Sequence, residues 1–142
     1  MTTTLAPAAV GTSLIERHYR ALADNRLLAH RCDACGELTV PITTACAGCG
    51  SGAYEELVLA GTGTLHYAAH NIAPAPHPRF AELAPYVFGH VMLDEGVPVQ
   101  GIVRGIEPTP EATRALYEQG PVKVTLDVLQ MADLPVIAFR IG

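Results

Sequence analysis

The chain has 142 residues and a formal charge of −5, with nine Lys and Arg against fourteen Asp and Glu. That length suits one domain, or a domain with a small appended unit, and the acidic balance argues against nucleic acid, whose binding rests largely on neutralising phosphates with Lys and Arg. Its apolar runs fall far short of the ~18 residues of a membrane helix, and the start MTTTLAPAAVGTS lacks the basic and long apolar regions of a secretory signal, so a cytoplasmic protein with reduced thiols and no membrane partner is expected.

Residues 1–11 are small and polar and read as a mobile tail. Ser13-Leu14-Ile15-Glu16 then forms a capping box, with the Ser oxygen on the Glu16 N–H and the Glu side chain reaching back. Leu14, Ile15, His18, Tyr19 and Leu22 share one face of the helix that follows, and Asn25 is a stop. The apolar face can pack on the chain's own domain or dock on a partner, and the pattern does not separate the two.

The next stretch, Arg31 to Gly50, holds all four cysteines as two Cys-x2-Cys-Gly knuckles, Cys32 with Cys35 and Cys46 with Cys49. Ten residues separate the pairs, enough for a hairpin that folds one knuckle onto the other. Four thiolates brought together suit one tetrahedral Zn2+, and four protein ligands leave no open coordination position, so the site is structural. Spacing alone does not distinguish zinc from an iron centre with the same ligands. Two disulfides would need a secreted protein, and a thioredoxin-like pair would use a single Cys-x-x-Cys. Strands at Leu27–Arg31, Glu37–Ile42 and Tyr54–Leu59 complete a ribbon, with Pro41 keeping the second at an edge.

After Gly61-Thr-Gly-Thr64 the pattern turns to β-strands: Thr64–Ile72, then Tyr86–Leu93 and Val97–Val103 joined across Asp94-Glu95-Gly96. A helix follows, with Thr109 as N-cap, Pro110 at its first position and Gly120-Pro121 as its stop. Val122–Leu129 and Val136–Ile141 close the order strand, strand, strand, helix, strand, strand, which is that of the five-stranded OB-fold barrel. The fold class expected is mainly β: residues 1–25 as tail and helix, 26–60 as a rubredoxin-like zinc ribbon, and 61–142 as an OB-fold domain. Between the first two barrel strands, residues 73–85 carry four prolines and are stiffened. That loop usually faces the ligand in OB-folds, and His77, Arg79 and Phe80 sit on it as candidate contacts, although the stretch reads equally as an ordinary exposed connector.

A helix, two Cys-x2-Cys-Gly knuckles, Gly61-Thr-Gly-Thr64, Pro85-Tyr86, Val91-Met-Leu-Asp-Glu-Gly96 and Gly120-Pro-Val-Lys-Val124, in that order, resemble the zinc-ribbon/OB-fold proteins catalogued as domain of unknown function 35. The resemblance covers about residues 13–142 and departs at Val40-Pro41-Ile42, where that family often has Pro-Pro-Arg. It implies a small accessory subunit of thiolase-like acyl-CoA enzymes, among them thiolase–HMG-CoA synthase assemblies, the steroid side-chain aldolase, the benzoylsuccinyl-CoA thiolase and the phloroglucinol acetyltransferase. Such a subunit holds the thiolase-like chain and helps frame the acyl-CoA channel. Contacts to that partner or to CoA are then expected from Leu14, Ile15, Tyr19 and Leu22 on the helix and His77, Arg79 and Phe80 on the loop.

The residue chemistry agrees. Thiolase-type condensation needs a nucleophilic Cys activated by His, and all four cysteines are committed to the metal. No Gly-x-Ser-x-Gly elbow and no phosphate-binding Gly-x-x-x-x-Gly-Lys loop occurs, so no catalytic residue is expected. The alternative is a free-standing nucleic-acid-binding ribbon/OB module, which would want basic strands with exposed aromatics.

Overall fold

The N-terminal helix begins where its capping residue dictates. In the computed structural model, which describes residues 3–4, 13–71, 78–81 and 83–142, α1 spans Leu14–Ala23 and the Ser13 hydroxyl accepts the Glu16 N–H at 3.1 Å. Only this half of the expected capping box forms. The Glu16 carboxylate instead pairs with Arg20, four residues on, at 2.5 Å. The helix ends at Asn25, whose φ of 56° reverses the chain. The Asn25 side chain then works at long range: its Oδ1 accepts the Val128 N–H at 2.8 Å and its Nδ2 donates to the Leu126 carbonyl at 3.2 Å. Gln130 Nε2 donates to the Leu22 carbonyl at 3.1 Å, so groups from the far end of the chain satisfy the end of the helix.

The ribbon is a four-stranded sheet. β2 (Leu28–Cys32) lies between β3 (Leu38–Thr39) and β4 (Tyr54–Val58), with His30 opposite both Thr39 and Glu56. The fourth strand, β1, is Thr3–Thr4, paired with Val58 and Leu57. At these two residues the expected mobile tail is corrected: β4 would otherwise present an unpaired edge, and the tail supplies the missing backbone partners.

The remaining strands, β5 (Thr62–Asn71), β6 (Tyr86–Leu93), β7 (Pro98–Arg104), β8 (Val122–Leu126) and β9 (Ala138–Ile141), close into a barrel in the order β5-β6-β7-β9-β8, with α2 (Pro110–Gln119) between β7 and β8. β7 and β9 run parallel and the other pairs antiparallel. This is the barrel expected from the element order. Its last two strands are shorter than the apolar pattern suggests, because the Val128 N–H is taken by Asn25 and only a Leu129–Val136 bridge persists beyond. β5 is bulged between Leu65 and Tyr67, and its pairing with β8 stops at Leu65. Tyr117 of α2 takes over there, its hydroxyl donating to the Ala68 carbonyl at 2.7 Å and accepting the Ala68 N–H at 3.2 Å.

One apolar core joins these parts. Leu22 of α1 with Leu27 and Ala29 at the ribbon's root pack in the same cluster as Val87, Val91, Leu93, Val124 and Phe139 of the barrel. A polar strut adds to it. Glu56 Oε1 receives Arg17 Nε at 3.1 Å and Nη2 at 3.0 Å, and lies 3.1 Å from His30 Nε2. His30 Nδ1 is 2.9 Å from the Thr43 carbonyl oxygen, and its ring stacks on Tyr54 at 3.7 Å. The Arg17 guanidinium is held above its usual pKa by the Glu56 hydrogen bond, against burial. Replacing Glu56 removes the carboxylate that Arg17 and the buried His30 share, which costs about 2–4 kcal/mol. Urea unfolding of Glu56→Ala is expected to show that loss; a change below about 0.5 kcal/mol, the size of an ordinary surface substitution, would remove the strut from the account.

Candidate functional site

Each cysteine pair is shaped by its own backbone. The Gly36 N–H donates to the Cys32 carbonyl at 3.0 Å and the Gly50 N–H to the Cys46 carbonyl at 2.9 Å. Both glycines hold a positive φ, 78° and 79°, which a β-carbon would strain. Inside each turn an amide points at the first sulfur: Ala34 N–H to Cys32 Sγ and Gly48 N–H to Cys46 Sγ, both at 3.3 Å. The two knuckles are therefore copies of one motif, one leaving β2 and the other ending the crossing that begins with β3.

The four sulfurs lie within 4.8 Å of one another, with Cys32–Cys49 and Cys35–Cys46 at 3.5 Å. Zinc–sulfur bonds of about 2.3 Å in a tetrahedron set sulfurs roughly 3.8 Å apart, so the donor set fits one tetrahedral ion. Backbone N–H groups favour thiolate at the first sulfur of each knuckle: Cys35 first and Ala34 after it bring the Cys32 thiol down to about 6, and those of Cys49 and Gly48 lower Cys46. At the second sulfurs the backbone N–H groups of Glu37 and Ser51 act the same way, but contacts with the neighbouring sulfurs push Cys35 up to about 12 and raise Cys49. When bound, zinc supplies a cross-link here, since four thiolates leave no place for substrate.

The candidate partner contacts separate. Leu22 is 1% exposed and belongs to the shared core. Leu14 packs on the smaller cluster of Ala21, Leu28 and Ile42. Ile15 is 71% exposed. Tyr19 lies half-buried against the core, and Phe80, in a short 3-10 turn at Pro78–Phe80, sits 6.2 Å from the Tyr86 ring. His77 lies outside the described residues, as does the side chain of Arg79.

Tyr19 and Phe80 meet across a cleft of about 580 Å³ between α1 and the outer face of the barrel, where Tyr86, Phe88, Ile102 and Ile137 form its floor. Gly101 lets β7 and residue 137 approach closely, because a β-carbon there would come to 2.9 Å from the Ile137 carbonyl oxygen. Sequence reasoning missed this surface. Its signal was available in β6: Val87, Val91 and Leu93 fill the barrel, while the alternate positions Tyr86 and Phe88 are aromatic where an outward residue is usually polar.

The rubredoxin-like zinc ribbon domain of ChsH2 matches residues 20–55. A probable enoyl-CoA hydratase alpha subunit of Thermomonospora curvata is 36% identical over 92 residues, which are 63% of this chain and 27% of that protein. A DUF35 domain-containing scaffold protein of Methanothermobacter thermautotrophicus is 31% identical over 83 residues, 58% of this chain and 61% of that one. The matched region thus spans about a quarter and about three fifths of these two relatives. Among solved structures, a chain of the Ltp2-ChsH2(DUF35) aldolase superposes with a TM-score of 0.68 at 30% identity, covering 96% of this chain and 98% of that one. A DUF35 protein of unknown function from Sulfolobus solfataricus shares the fold, with a TM-score of 0.53 at 11% identity over 91% and 85% of the two chains.

The metal prediction follows from the geometry. Purified without a histidine tag, the protein should carry one zinc per chain by elemental analysis, and Cys46→Ser or strong chelation should remove it and lower the melting temperature by about 10 °C or more, because structural zinc binding is folding free energy. A metal-free chain with unchanged melting would refute the assignment.

Proposed function

The chain belongs to the DUF35 family, and from that premise we propose that it is a non-catalytic zinc-ribbon/OB-fold subunit that docks on a thiolase-like acyl-CoA enzyme and helps frame its CoA or acyl channel. The observation that carries this reading is the match along nearly the whole chain, 96% of this one and 98% of the other, to a component of the Ltp2-ChsH2(DUF35) aldolase. The name of the Thermomonospora relative, an enoyl-CoA hydratase alpha subunit, supports acyl-CoA as the substrate class. The cysteines support a non-catalytic role. All four in the chain belong to one metal cluster, so no thiol is left for acyl transfer.

In this reading α1 and the 73–85 loop meet the partner. Ile15 and Tyr19 make the contact from the helix, while Leu14 and Leu22 hold α1 in place from beneath. Phe80 is the apolar anchor of the loop. Arg79 and His77 beside it supply groups for a CoA phosphate or a carboxylate of the partner. The zinc acts at a distance, by fixing the ribbon against which α1 is set.

Co-expression with a thiolase-like chain encoded beside it should yield a complex that co-elutes in size exclusion, while this chain alone turns over no acyl-CoA. The pair Ile15→Asp and Phe80→Ala should weaken assembly at least about tenfold, 1.4 kcal/mol. A robust acyl-CoA rate from the isolated chain, or full assembly by the double variant, would overturn the reading.

A further inference from the structure

The cleft behind Phe80 does not end at the barrel's midline. A second cleft, about 450 Å³, opens between the barrel and the ribbon, and the two share Gln100 and Ile137. They form one trough across the outer face of β6 and β7. Its near wall is α1. Its far wall is Val40–Pro41, in the chain between the two knuckles, a segment tethered at Cys35 and Cys46 to the metal cluster.

No described residue lining either cleft is Lys, Arg, Asp or Glu. That is unusual for the surface of a chain in which 16% of residues are charged. Burial also lowers the pKa of His18 on the α1 wall, which favours its neutral ring. Large apolar side chains continue the surface beyond the trough: Ile15, one helical turn before His18 and Tyr19, and Leu134, next to the lining residue Pro135, are 71% and 41% exposed. Loss of charge together with a gain of Tyr and Phe is the composition of an interface core. Both clefts lie open along the surface, whereas a small-molecule pocket encloses most of its ligand. A second copy fits poorly, since an isologous contact would set one concave trough against another.

We propose that this uncharged trough, walled by α1 on one side and by the zinc-tethered Val40–Pro41 segment on the other, is the seat for an apolar, uncharged ridge of the thiolase-like subunit. The inference rests on the docking reading above and sharpens it. The contact runs across β6 and β7 to the ribbon rather than stopping at the helix and loop. It also gives the zinc a direct consequence for binding: losing the metal frees both ends of the wall formed by Val40 and Pro41, so partner affinity falls even where the barrel stays folded.

The test places a single charge in the trough. Gln100 is exposed on β7 and shared by both clefts, so Gln100→Glu should leave melting and zinc content unchanged. It should weaken binding to the co-expressed thiolase-like subunit at least tenfold, and Val40→Asp should do the same from the ribbon wall. Glu118→Lys on α2, which lines neither cleft, should bind as wild type. If wild type binds and both trough variants bind equally well, the trough is not the seat and only this inference falls; if wild type binds no thiolase-like chain, the docking reading itself falls. A chain that dimerises on its own and becomes monomeric as Gln100→Glu would assign the trough to a second copy, and a small molecule retained in it through purification would assign it to a ligand. Either result overturns the proposal.

Discussion

Four sulfurs within 4.8 Å are the constraint on which the rest of the ribbon depends. The segment from β2 to β4 is too short to bury a core of its own, and small units of this kind need a staple. Its sheet is made of strands of two and five residues, and a single pairing of that length is marginal in water. The metal cluster fixes the ends of the crossing between β2 and β4, and the strands then only have to choose a register.

The second constraint is that neither α1 nor the ribbon stands apart from the barrel. Asn25 and Gln130 tie the end of α1 to the stretch after β8, and Leu22, Leu27 and Ala29 enter the barrel's apolar cluster. The Arg17–Glu56–His30 strut locks the helix to the ribbon sheet. These ties set α1 against the barrel and so position the wall of the cleft between them, which reduces the entropy lost on docking. A structural zinc remote from chemistry can matter to function in this way, through the position of a wall.

What the sequence disclosed was local. The Ser13 and Thr109 caps, the glycines after each knuckle, the turn at Gly96 and the alternation of β6 each rest on residues a few positions apart, and each appears where those residues place it. What it hid was long-range. The bond from Asn25 to Val128 spans 103 residues and ends a strand that apolar periodicity alone would extend to Leu129. The Glu56–Arg17 pair spans 39 residues, and its members look like ordinary surface charges when read one at a time. β1 could not be read from Thr3 and Thr4, because its cause is the open edge of β4. The cysteines were legible because their spacing is itself the chemistry, whereas the trough was not, because its walls and floor come from five separate stretches of chain. Of the contacts expected on α1, Leu22 shows the limit of a helical wheel: it marks an apolar face without saying which protein covers it.

The central claim is that the metal-braced ribbon and the barrel present one docking face to a thiolase-like subunit. Hydrogen exchange on the zinc-loaded chain, alone and mixed with that subunit, tests it most directly. The account predicts slowed exchange on mixing in segments 15–22, 38–42, 86–90, 98–102 and 135–137, with α2 and β8 unchanged. Protection confined to α2 and β8, or no segment protected while the complex forms, would contradict it.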